Sequence, residues 1–223
     1  MTILEDIKPL FSEIERDRNH RLRSWEHCYK FFQSNPHDID ISCLHLGFYL
    51  ASWGMYRGSS FLLQKDYKIH ADIIHEILKL KYHSLWHVTL ESLTDSNRDS
   101  QIDLMLSLKD QIATYYDKVR LSVTRKENDN PGARDTLVTK ILMGTLGCIP
   151  AYDCFFIAGI KSEKIPYSCL NEKNLRSLLD WCDNNARQLH DAQSWVNAKS
   201  KECKYPVMKI VDMYFWRKGK KSS

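Results

Sequence analysis

The chain has 223 residues, a formal net charge of +4, 43% hydrophobic and 27% charged residues. That is the balance of an ordinary soluble globular protein, long enough to bury a substantial core, and no apolar run reaches membrane-spanning length. Seven cysteines scattered without a CxxC pair argue for free thiols in a reducing cytoplasm rather than a disulfide framework or a zinc knuckle.

The opening stretch, MTILEDIKPLFSEIERDRNHR, is too acidic and too periodic for a secretory signal. Leu4, Ile7, Leu10, Phe11 and Ile14 recur at helical spacing, and Trp25, Cys28, Tyr29 and Phe32 form the next stripe. SNPHDID at 34–40 is a turn. Residues 44–63 read as a helix that is apolar nearly all round, interrupted near Gly54 and Gly58, and so as the central and most buried segment. Further helices are expected over 69–80, 84–93 and 102–123. RKENDNPGARD at 125–135 is the strongest loop signal. Beyond it, helices are expected over 136–146, from 155, over one or two stretches within 168–200, and through YPVMKIVDMYFWRKG. Pro206 can start that last helix and Gly219 can stop it. No period-two strand and no internal repeat is visible. The expected fold is all-α: a single helical domain over 1–223, or two lobes at about 1–124 and 134–223 joined by the loop 125–133.

The passage TKILMGTLGCIPAYDCFF sets one carboxylate, Asp153, among apolar neighbours just before a renewed apolar stretch. An aspartate there can cap a helix, accepting backbone N–H groups near the positive end of the dipole. It can also stabilise a developing positive charge or orient a water. The two readings are compatible, because a capping acid is held rigidly.

An apolar helix, a small turn and then P-x-x-D opening the next helix resembles the helix-hairpin-helix DNA glycosylases, the group of endonuclease III and 8-oxoguanine glycosylase. The resemblance covers about 135–160, with VTKILMGTLG matching the helix and IPAYD the aspartate segment. It implies DNA repair: a hydrolase, without cofactor or metal, that cleaves the N-glycosidic bond of an extruded base, with Asp153 stabilising the oxocarbenium-like sugar. The chain departs from the family at the hairpin, where NDNPGARDTLVTK offers only Gly132, with Arg134 beside it. It departs again at the nucleophilic lysine of the bifunctional members, whose position falls near Thr136. Lys140 is the fallback nucleophile, and monofunctional chemistry is the expectation.

LASWGMYRGSSFLL places Trp53, Tyr56 and Arg57 around two glycines. With Trp25, the two aromatics are candidates to line a base pocket, and Arg57 is a candidate phosphate clamp. Close helix packing with an ion-paired Arg57 is the plainer reading. The basic tail adds Lys218 and Lys220 as candidate backbone contacts, so the expected partner is a nucleic acid, DNA before RNA. His83, His87 and Glu91 share a helical face, but eight residues of helix rise is about 12 Å, too far for all three to hold one ion. No phosphate-binding glycine loop or G-x-S-x-G elbow is present. The rival reading is a non-catalytic helical interaction protein with a basic C-terminal tail.

Overall fold

A computed structural model describes residues 2–93, 95–124 and 131–221, with the side chains of 95, 96, 124 and 131–134 left aside. Every regular element among the described residues is helical: α1 (Ile3–Arg16), α2 (Arg23–Ser34), α3 (Ile39–Ser52), α4 (Ala71–Ile77), α5 (Asp95–Thr124), α6 (Pro131–Thr145), α7 (Cys154–Ser162), α8 (Glu172–Asn184), α9 (Ala186–Lys199) and α10 (Val207–Lys221). Short 3-10 turns join α3 to α4 and α4 to α5. None of the helices is long and apolar enough to cross a membrane, among the described residues. All seven cysteines are free.

Local chemistry explains most of the ends. Thr2 and Glu5 form a reciprocal capping box on α1, whose Ile3, Ile7, Leu10, Phe11 and Ile14 are buried at helical spacing. Asp38 caps α3 through the Ile41 amide. The expected long helix over 44–63 is cut short at Ser52. Gly54 takes φ +77°, its N–H reaches the Ala51 carbonyl and the Met55 N–H reaches the Leu50 carbonyl. Those two bonds are a Schellman closure, which a residue in the left-handed region makes possible. The expectation that 44–63 is the most buried segment also fails, since Leu44 is 50% and Phe48 62% exposed. Every residue of 137–152 is buried instead. The expected helix over 84–93 is replaced by 3-10 turns at Leu80–His87 and Glu91–Leu93.

One continuous apolar cluster runs from Ile3 to Phe215. α6 packs on α2, α3 and α5, while α10 packs on α1, α7 and α9. Two of the buried polar networks among the described residues lie away from the α6–α7 turn. Glu26 accepts from Arg23 at 2.8 Å and from the Tyr205 hydroxyl at 2.7 Å. His70, fully buried, stands 2.5 Å from the Tyr116 hydroxyl and 2.7 Å from that of Tyr56.

Gly219 does not end α10, which continues to Lys221. It is there for a close approach. A Cβ at Gly219 would lie 1.8 Å from the Phe155 carbonyl oxygen, and one at Gly159 would lie 2.0 Å from that of Phe215. The two glycines let the backbones of α7 and α10 touch, which brings the start of α7 beside the side chains of α10.

Gly219→Ala is expected to lower the unfolding free energy by about 1–3 kcal/mol, because the helices must separate to admit one methyl. Urea denaturation reads this, and an unchanged midpoint would show that the helices do not meet there. Burial pushes the His70 imidazole down from 6.5 to about 4. Its contribution is therefore present above pH 6.5 and is lost as the pH falls toward 4, by roughly 3 kcal/mol in all. His70→Gln is expected to flatten that limb of the stability profile; an unaltered slope would show that His70 is already protonated when folded.

Candidate active site

The turn between α6 and α7 is held by three hydrogen bonds, two from α6 and one from α10, before Asp153 is reached. The Thr139 hydroxyl accepts the Tyr152 N–H at 2.9 Å, and the Thr136 hydroxyl donates to the Tyr152 carbonyl at 2.9 Å. From α10, Asp212 Oδ1 accepts the Ala151 N–H at 3.0 Å. Thr136, Thr139 and Lys140 lie within one helical turn and a step, so the helix that holds the turn also presents an amine to its end.

Asp153 is the N-cap of α7: Oδ1 accepts the Phe156 N–H at 3.0 Å. Its other oxygen, Oδ2, accepts from Lys140 Nζ at 3.2 Å. The carboxylate therefore caps and pairs at once. Lys140 is 2% exposed in its side chain against 15% for Asp153, so the acid faces outward and the amine lies beneath it. Lys140 Nζ stands 4.5 Å from the centre of the Trp53 ring. Burial pulls its ammonium below the ordinary lysine value; Asp153 and Asp212 raise it again, and Lys209 lowers it further. The net displacement is downward.

A second pair stands behind the first. Lys209 donates to Asp212 Oδ2 at 2.7 Å, both groups are buried, and Lys209 Nζ lies 4.8 Å from the Trp25 ring and 5.9 Å from that of Trp53. Trp53 sits at the C-cap of α3, where the Schellman closure holds it. Arg21 covers its ring at 5.4 Å, and Trp216 meets it edge-on at 6.3 Å. The indole N–H of Trp53 is buried and has no hydrogen-bond partner among the described residues.

The structure thus brings together Asp153, Lys140 and Trp53. The amine that reaches Asp153 belongs to Lys140, one turn beyond Thr136, and it is buried rather than exposed. Trp25 is 1% exposed, its N–H donates to the Met143 carbonyl at 2.9 Å, and it backs Lys209. Tyr56 joins the His70 network. Arg57 is exposed, lies against Gly54 next to Trp53, and makes no ion pair among the described residues. Lys218 pairs with Glu163 and covers the Tyr214 ring, while Lys220 is exposed over Trp216 at 5.1 Å. Gly132 and Arg134 lie outside the residues whose side chains are described. A shallow depression of about 570 Å³ at the start of α8, lined by Asn171, Glu172 and Arg176, shares no residue with the cluster.

Lys209, Asp212, Arg21 and Trp216 were not singled out from the sequence. A signal existed for two of them: VMKIVDMYF sets a lysine and an aspartate three residues apart inside an apolar run. Such a pair belongs on one helical face, and burial of that face forces the charges together. Compared with protein-family models, with curated proteins and with solved structures, the chain matches none.

A lysine held below its ordinary value binds fewer protons folded than unfolded. Its contribution to stability therefore grows as the pH rises through the folded value toward the unfolded 10.5, and is lost on returning to lower pH. The stability difference between wild type and Lys140→Met is expected to move in favour of wild type over that alkaline range. Paired urea titrations measure it, and a constant difference would place the lysine's proton affinity at its ordinary value.

Proposed function

We propose that the chain is a nucleic-acid glycosylase in which Lys140 is the attacking amine and Asp153 the carboxylate that stabilises positive charge on the sugar. The observation that carries this reading is the buried Lys140 amine, 3.2 Å from a carboxylate fixed by its own helix cap and 4.5 Å from an indole face. Desolvation and a neighbouring ammonium favour the neutral amine, the form that has a lone pair to give. This departs from the monofunctional expectation, because the amine in contact with Asp153 is Lys140 itself.

In the proposed step Lys140 Nζ bonds to the sugar C1′ as the bond to the base breaks. The bonding pair leaves with the base, which takes a proton from water, while ionised Asp153 faces the positive charge developing on the sugar; once the new C–N bond has formed, Asp153 takes a proton from the resulting ammonium. Asp153 then returns that proton to the ring oxygen as the C1′–O4′ bond breaks and the nitrogen lone pair forms the C=N bond, leaving a protonated imine on Lys140. Trp53, half-buried beneath Arg21, offers an aromatic surface to the extruded base. Arg21, Arg57 and Lys220 supply exposed cationic groups near the two half-buried tryptophans, for the phosphate backbone.

One observation favours the non-catalytic alternative. Ile41, Leu44 and Phe48 lie exposed along one face of α3, as a helix that docks a protein would place them. The two readings part on oligonucleotides carrying damaged bases or abasic sites. Wild type is expected to release base and to be trapped covalently by borohydride. Lys140→Met is expected to lose trapping, and Asp153→Asn to slow base release by about 100-fold or more while keeping the cap. A wild type that neither binds nor cleaves any of them ends the glycosylase reading and leaves the interaction protein.

A further inference from the structure

We infer that Lys209 and Asp212 on α10 are positioning residues for the Lys140–Asp153 pair, holding the turn that carries Asp153 and placing a second cation against the indole that Lys140 faces. The inference rests on the proposed role of Lys140 as the working amine, and it goes beyond it by assigning the site a second layer.

The geometry is specific. Asp212 divides its two oxygens between two tasks: Oδ2 takes Lys209 at 2.7 Å, and Oδ1 takes the Ala151 N–H at 3.0 Å, two residues before Asp153. Lys209 stands 5.9 Å from the Trp53 ring, whose centre is 4.5 Å from Lys140. Residues 207–215 of α10 are all buried, so this ion pair replaces what an apolar pair would fill at lower desolvation cost. A helix that needed only to pack would not require it.

The charged groups acting most strongly on Lys140, among the described residues, are Asp153 from the turn before α7, and Asp212 and Lys209 from α10. Arg21 lies across Trp53. From α3, Tyr49 stays a neutral phenol, its ionisation pushed up by burial. From α2, Glu26 is closed by Arg23 and Tyr205. α5 buries Ile102, Met105, Leu108 and Ile112, and the Tyr116 hydroxyl belongs to His70. Lys209 is thus a cation acting directly on Lys140, and it disfavours a proton there.

The test follows the Lys140 Cε resonance against pH in the full chain labelled with 13C-lysine, assigned by its loss in Lys140→Arg. Lys209→Met is expected to move the Lys140 midpoint to higher pH, because a repelling charge is gone and Asp212 is left unpaired. Lys209→Arg, which keeps the charge, is expected to leave it in place. Asp212→Asn keeps the acceptor for the Ala151 N–H but removes a negative charge, and is expected to move the midpoint to lower pH. A midpoint that stays put in folded Lys209→Met or in Asp212→Asn overturns the inference. If Lys209→Met does not fold, Asp212→Asn alone decides. Borohydride trapping on an abasic oligonucleotide, run over the same pH range, is expected to shift with the resonance. A wild type that forms no imine ends the glycosylase reading alone, while the resonance still reports whether Lys209 governs Lys140.

Discussion

An ammonium group removed from water must meet a carboxylate, and the interior of this protein is organised around that requirement at Lys140. Leaving a charged lysine unpaired in a dry core costs several kcal/mol, more than most single contacts return. The compensation comes from Asp153, and Asp153 is in place only because the turn from α6 to α7 is pinned by Thr136, Thr139 and Asp212. The same carboxylate starts α7 by accepting the Phe156 amide. Ion pair, turn and helix start form one unit.

That unit depends on how closely α7 and α10 approach. Gly159 and Gly219 remove the side chains that would hold the two backbones apart. With the helices in contact, Asp212 on α10 reaches the Ala151 amide and Lys209 reaches toward the tryptophans. The charge of the cluster then balances, two ammonium groups against two carboxylates, with the aromatic faces of Trp25 and Trp53 shielding them. A balanced cluster is tolerable in a core. It also leaves the proton on Lys140 sensitive to small changes in its neighbours.

The outward side of the unit is aromatic and cationic. Trp53, Trp216 and Phe155 meet edge-on, half-buried, with Arg21 and Lys220 over the tryptophan rings. Such a surface offers stacking faces and positive charge together. Glycine at 54 matters here in a way remote from packing. By ending α3 with φ +77° it puts Trp53 at the C-cap, where the ring can lie between the interior amines and the surface.

The sequence by itself determined that the protein is helical, because the apolar period of each segment is a local property. It marked the stripes of α1 and α2, and the position of Asp153 before a new apolar run. It misjudged 44–63, because hydrophobicity says how many faces of a helix are apolar and not which of them find a partner. Phe48 is left outside, while 137–152 is covered on every side. No local pattern marks Lys140 as buried, for the same reason. Tertiary structure alone decided that α2, α3 and α5 close over α6, and that α7 and α10 touch through their glycines. Those contacts join residues far apart in the chain. They take Lys140 out of water and bring Lys209, Asp212 and Trp53 to its side, a result that no local period encodes.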